Sequence, residues 1–287
     1  MAGKQFTDLT KASILKDSDI IAVHDGNGLK SVTIEQLHAS TANNAGAHNS
    51  VYRGKYLGEF VTSEQYDRIK KGTFEDLFIG DYWTIGGVNY RIAEFDRWLN
   101  TGDTKCVNHH VVIVPDGYLY DAQFRNTSSG GHEDGYGEGK PNDATGGYYN
   151  SDLRRSNLSR AKEMINNAFT NHVLNYRNFF VNAITGGKPT GGAWFDASVE
   201  LMNEKMVYGS SIFESGVSEG ERVYCRYGID NTQLQLFKFD NAQLNTGHTF
   251  WLRDVASSTS YCAIDGGFST TGDTSGVLGV RPCFAIF

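Results

Sequence analysis

The sequence predicts an α+β fold, and three observations carry that prediction. Apolar residues recur at helical spacing in only a few segments, which lie ahead of most of the strand-like runs. Short β-rich runs crowd the C-terminal part. Long polar, glycine-rich stretches separate them. With 33 Gly, 4 Pro, 15 Tyr and 17 Phe in 287 residues, the composition favours short strands and many loops. No repeat recurs at a fixed period, which argues against a solenoid or propeller.

The elements follow in order. Residues 20–24 and 29–34 flank Asp25-Gly26-Asn27-Gly28 and read as a β-hairpin, because Gly and Asn tolerate the positive φ of a tight turn. Thr33-x-x-Gln36 is a capping-box pattern for a short helix ending near Leu37. This unit, residues 1–38, is too small to hold its own core and needs a partner chain or host surface. Residues 39–50 are small and polar and are expected to be a flexible linker. A larger domain, residues 51–287, then begins. Thr62-x-x-Gln65 opens a helix that Gly72 ends. Gly86-Gly87 joins two strands. Residues 109–117 form an apolar run expected to be a central buried strand. Residues 126–150 are expected to be a surface excursion. Leu158, Ala161, Ile165, Ala168 and Phe169 mark one amphipathic helix. Val199, Met202, Met206 and Val207 mark another, with Asp196 as its candidate N-cap and Gly209 as its stop. Residues 223–227, 234–239, 249–253 and 279–286 read as strands.

Bulk properties exclude some functions. The formal net charge is −7, so electrostatics would oppose binding to a phosphate backbone, and no nucleic-acid partner is expected. The opening residues lack an apolar core, so no signal peptide is expected. No stretch approaches the ~20 apolar residues of a membrane span, so no membrane insertion is expected. Cys106, Cys225, Cys262 and Cys283 form no C-x-x-C pair. They read as reduced, buried, small apolar residues.

Several segments carry a resemblance: "GDYWTIGGVNYRIAEFDRWLNTGD", "HHVVIVPD", "ELMNEKMVYGS", "FWLRDV" and "GVRPCFAI". Together they resemble a family of phage-encoded fibre and receptor-binding proteins whose C-terminal domain is C-type-lectin-like. The likeness covers roughly residues 51–287, and the paired "WLR…GVRP" blocks are its most specific part. Residues 1–38 look like the N-terminal segment of phage fibre proteins. The resemblance implies a virion-surface protein made in the host cytoplasm, on tail or head. It implies a homotrimer joined to a neighbouring virion structural protein through the N-terminus. Its partner would be a bacterial surface glycan or protein. The alternatives are a head decoration that binds nothing and an enzyme that trims surface polysaccharide.

Candidate chemistry is sparse. His132, Glu133, Asp134 and Glu138 sit together, but in a glycine-rich stretch typical of a solvated loop. His109 and His110 point to opposite faces of a strand and read as structural. Lectin sugar sites usually hold calcium through a Glu-Pro-Asn or Gln-Pro-Asp triplet and Trp-Asn-Asp, and the chain has none of these. The nearest fragment, Lys140 to Asp143, lacks the leading residue. Formylglycine-generating enzymes share the fold and need a reactive Cys pair; Cys262 and Cys283 are the candidates, but Cys283 lies in a buried-looking strand, where a thiol is inert. No catalytic residue, metal or cofactor is expected. The stretch 257–275, between the two framework blocks, reads as a displayed loop. Tyr261 and Phe268 are its aromatic ligand contacts, with Asp265 and Asp273 as polar partners. Trp251 and Arg253 share a strand face. They could shape a pocket floor, or Arg253 and Arg281 could tie the loop ends to acids such as Asp254 or Asp265.

Overall fold

The structure, a computed structural model, describes residues 20–24, 28–33, 44–126, 143–215 and 228–287. Within them the chain is α+β, mostly sheet. The expected N-terminal hairpin is present, with β1 (Ile20–His24) antiparallel to β2 (Leu29–Thr33). The short helix expected to end near Leu37 and the strand expected at 223–227 lie outside the described residues.

Of the expected linker, residues 39–43 lie outside the described residues and residues 44–50 are folded. Asn44 accepts from Ala47 N (3.0 Å) and caps α1 (Ala45–His48). His48 is buried against Phe74, Phe78 and Phe95, and its Nδ1 bonds Leu77 O at 2.6 Å. Small polar composition concealed a capped turn that one packed ring anchors.

After β3 (Tyr56–Gly58), α2 (Ser63–Lys71) forms as expected. Both halves of its capping box are made: Gln65 N donates to Thr62 Oγ1, and Thr62 N donates to Gln65 Oε1. Gly72 ends the helix at φ 70, where a Cβ would lie 2.7 Å from the His109 ring. β4 (Tyr82–Ile85) and β5 (Val88–Phe95) turn at Gly86-Gly87, both with positive φ, as a tight hairpin demands. β6 (Val111–Pro115) is buried at every residue. β7 is Tyr120–Gln123. Of the expected surface excursion, residues 127–142 lie outside the described residues. The part from 143 to 150 turns inward: Ala144 and Tyr148 are buried, and Tyr148 Oη donates to Glu200 at 2.7 Å. One π-helical turn (Leu153–Asn157) leads into α3 (Leu158–Ala168), whose Leu158, Ala161 and Ile165 face the core as expected.

β8 (Tyr176–Thr185) and β9 (Lys188–Ala197) then form a long hairpin that sequence patterning did not reveal. Pro189 and Gly191-Gly192 interrupt its β-propensity, and two register shifts interrupt its alternation. The expected helix over Val199 to Val207 is shorter than its spacing suggests. β10 (Glu200–Leu201) pairs with Cys283 and Pro282, and only α4 (Glu204–Tyr208) is helical. Asn203, not Asp196, is its N-cap, and Gly209 stops it. Residues 234–239, expected as a strand, form α5 (Gln235–Phe239), followed by a 3-10 turn (Asn241–Leu244).

The C-terminal part is β11 (Phe250–Val255), β12 (Ser260–Asp265), β13 (Phe268–Asp273), β14 (Val277–Val280) and β15 (Pro282–Ile286). The expected single terminal strand is thus two. β14 joins the sheet ordered β13-β12-β11-β14-β7, and β15 lies inside the sheet ordered β10-β15-β6-β5-β4-β3. Arg281 stands at the crossing. It is buried, with Nε donating to Pro115 O at 2.8 Å and its guanidinium over the Phe250 ring. Burial pushes its pKa down to about 10. The two framework blocks are neighbours as expected, with β11 parallel to β14.

Candidate functional site

The framework is welded together from beneath by Asp230. This fully buried carboxylate accepts from Trp98 Nε1 (2.8 Å), Arg97 Nε (3.1 Å), Asn178 Nδ2 (2.7 Å) and Arg253 (2.7 Å). Burial alone would raise its pKa, but Arg253 and Arg97 hold it far below the carboxylate range. Arg253 also donates to Leu201 O and lies over the Phe180 ring. Its role is therefore the structural one, and its carboxylate partner is Asp230 rather than Asp254 or Asp265. Trp251 is buried as well, with Nε1 donating to Ala122 O at 2.8 Å. Arg253 borders a cavity of only about 20 Å³, room for about one water rather than a pocket floor.

The stretch 257–275 is no loop. It is the hairpin β12–β13, turning at Gly266-Gly267, both at positive φ. Folding it as a hairpin divides the four candidate contacts. Tyr261 is fully buried and stacked on Phe124, ring centroids 3.5 Å apart, and burial pushes its hydroxyl pKa well up. It is core, and its assignment as a ligand contact is corrected. Phe124 lies far away in sequence, so no local pattern announced the partner. Asp265 is exposed and accepts from Thr249 Oγ1. Asp273 is exposed at the opposite end, where it accepts from Ser275 N and Oγ. It closes a turn, about 16 Å from Phe268 by strand rise. Of the two aromatic candidates only Phe268 is exposed, 78%, at the hairpin tip.

Beside that tip runs an open groove of about 840 Å³. The turn and Phe268 form one wall. Phe239, Asn241 and Asn245 form the other, and Tyr208 contributes from α4. Tyr208 Oη donates to Gly267 O at 2.9 Å, fixing the turn against the helix, and burial pushes its pKa up to about 12. Sequence reasoning missed this second wall because 234–239 was read as a strand. The clustered aromatics and amides of "FKFDNAQLN" were the available signal.

Behind the hairpin lies an acidic cluster. Glu204 accepts from the backbone N–H groups of Ile212, Phe213 and Glu214 and from Ser269 Oγ. Asp254 accepts from Glu204 N. Its burial, with Glu214 adding like charge, pushes its pKa well above the carboxylate range. The cavity beside Asp254 and Glu214 measures about 20 Å³. That is room for about one water, not for a substrate. Cys262 is buried, and burial with Asp254 and Glu204 nearby raises its thiol pKa. Cys283 is buried in the other sheet and its thiol pKa is also raised. Cys106, Cys262 and Cys283 are all free; Cys225 lies outside the described residues.

His110 is buried, which lowers its pKa; its Nδ1 bonds Asn108 O and its Nε2 accepts from Trp98 N. His109 Nδ1 bonds Asp96 Oδ2 at 2.6 Å. Both are structural. His132, Glu133, Asp134 and Glu138 lie outside the described residues. Among the described residues no group of three or more His, Cys, Asp or Glu could hold a metal ion, and no helix is long and apolar enough to cross a membrane. No family model, curated protein or solved structure matches the chain.

Proposed function

We propose that the chain is a virion fibre or receptor-binding protein. Residues 51–287 act as a C-type-lectin-like domain that presents the β12–β13 hairpin to a receptor on the bacterial surface. The observation that carries this reading is Phe268. It is 78% exposed at a tip held by the buried strand β12 and by the Tyr208 bond, and it shares one groove with Phe239, 45% exposed, so the two side chains put apolar surface together in one depression, as binding surfaces do. The buried framework supports the reading by making the tip rigid. The N-terminal hairpin unit joins the chain to a virion structural protein and to two further copies, and three tips multiply a weak contact by avidity. Light scattering is expected to give about three times the 31.7 kDa chain mass. Mass spectrometry of purified phage particles tests the virion assignment, and purified chain is expected to compete with those particles for host cells. Absence of the chain from particles overturns the proposal.

A further inference from the structure

We infer that the groove beside the hairpin tip is a metal-independent glycan site, taking a neutral or singly anionic stretch of a few pyranose units. The inference rests on the receptor-binding reading above and names its ligand class.

Three properties of the groove point to sugar. The first is its rings. Phe268 and Phe239 are 78% and 45% exposed and line one groove, whereas many of the described aromatics pack inside. A pyranose carries a flat C–H face that stacks on such rings, and Phe rings lose little entropy when they are covered. The second is its polar groups. Among the described residues, the Asn241 side chain makes no hydrogen bond. Asn245 uses its Oδ1 on Gly247 N and leaves its amide N–H groups open. An amide offers both donor and acceptor, which suits the alternating hydroxyls of a sugar. The third is charge. Among the described residues no Asp or Glu lines the groove, and Lys238 is its one cation. Lys238 makes no ion pair among the described residues. A polyanion finds too few cations there, and a cationic ligand finds no carboxylate.

The volume, about 840 Å³, lies within the ~300–1,000 Å³ of small-ligand sites. A peptide fits less well. It would add to the free edge of β13, and only the first residue of that strand, Phe268, lines the groove. The site is also placed for exposure. Through Ser269 and the backbone of 212–214, Glu204 ties β13 to the segment carrying exposed Ile212 and Phe213, so the rim is braced.

The test uses the full chain on an array of bacterial surface oligosaccharides (capsule, O-antigen and teichoic-acid repeats) in a chelating buffer. At least one saccharide is expected to bind. Phe268→Ala and Asn241→Ala are each expected to weaken that binding about tenfold or more, with the melting temperature unchanged. Binding that both variants leave intact, binding only when calcium is added, or no binding to any saccharide overturns the inference. The fibre reading fails separately, by absence from purified particles, so the two failures are told apart.

Discussion

β12 and β13 are paired along their whole length, from Ser260 opposite Asp273 to Asp265 opposite Phe268, yet they occupy different environments. In β12, Tyr261, Cys262, Ala263 and Ile264 are all buried, which means that both faces of the strand are covered. In β13 no residue is buried, and the strand is the edge of its sheet. One strand is framework and its partner faces solvent. Ser, Thr and Gly between apolar blocks therefore marked a solvated edge strand rather than a loop. Small polar residues let that edge face water without exposing a sticky surface.

The comparison breaks most severely if the support beneath β11 fails. Asp230→Ala would leave Arg253 and Arg97 buried without their shared carboxylate, and is expected to cost about 3–5 kcal/mol. Urea denaturation reads this directly, and a loss below about 1 kcal/mol would show that Asp230 does not hold the framework.

A smaller effect is expected at Gly272, the point where β13 comes closest to the core. A Cβ there would lie 2.4 Å from the Trp251 ring. Gly272→Ala is expected to destabilise by about 1–3 kcal/mol through overpacking. A neutral result would mean that β13 is held more loosely than its pairing with β12 implies.

The mildest effect is a slope with pH. Asp254 has a folded pKa raised above its unfolded value of about 4, so the folded state binds more protons across the interval between them. Its contribution is fully present below pH ~4 and is lost as pH rises through the folded pKa. Asp254→Asn keeps an acceptor for Glu204 N and removes the titration. Thermal melts from pH 5 to 8 are expected to fall less steeply for the variant than for the parent chain. Parallel curves would place the titration elsewhere in the acidic cluster.

Much of the fold was legible where local signals sufficed. The Thr62 and Gln65 pair capped α2, Gly86-Gly87 turned a hairpin, and the unbroken apolar run became buried β6. Where tertiary context decided, the sequence misled. Leu234, Leu236 and Phe237 are buried from a single turn of helix, though their run reads as a strand. The β8–β9 hairpin turns at Gly186-Gly187 just as β4–β5 does, but bulges and Pro189 obscured its alternation. At the candidate site, the exposure of Phe268 was legible because nothing near it in sequence could cover it. Tyr261 was not, because Phe124 covers it from 137 positions away.

Tyr261 and Phe268, one on each strand of the same hairpin, give the most direct test. Tyr261→Ala and Phe268→Ala are compared in the full chain by thermal melting and by binding to host cells. Tyr261→Ala is expected to lose about 3–5 kcal/mol of stability through the cavity it leaves. Phe268→Ala is expected to stay within about 0.5 kcal/mol of the parent and to lose about tenfold or more in binding. A Phe268→Ala chain that binds as the parent does, or one that melts as early as Tyr261→Ala, would contradict the division of the hairpin into framework and display.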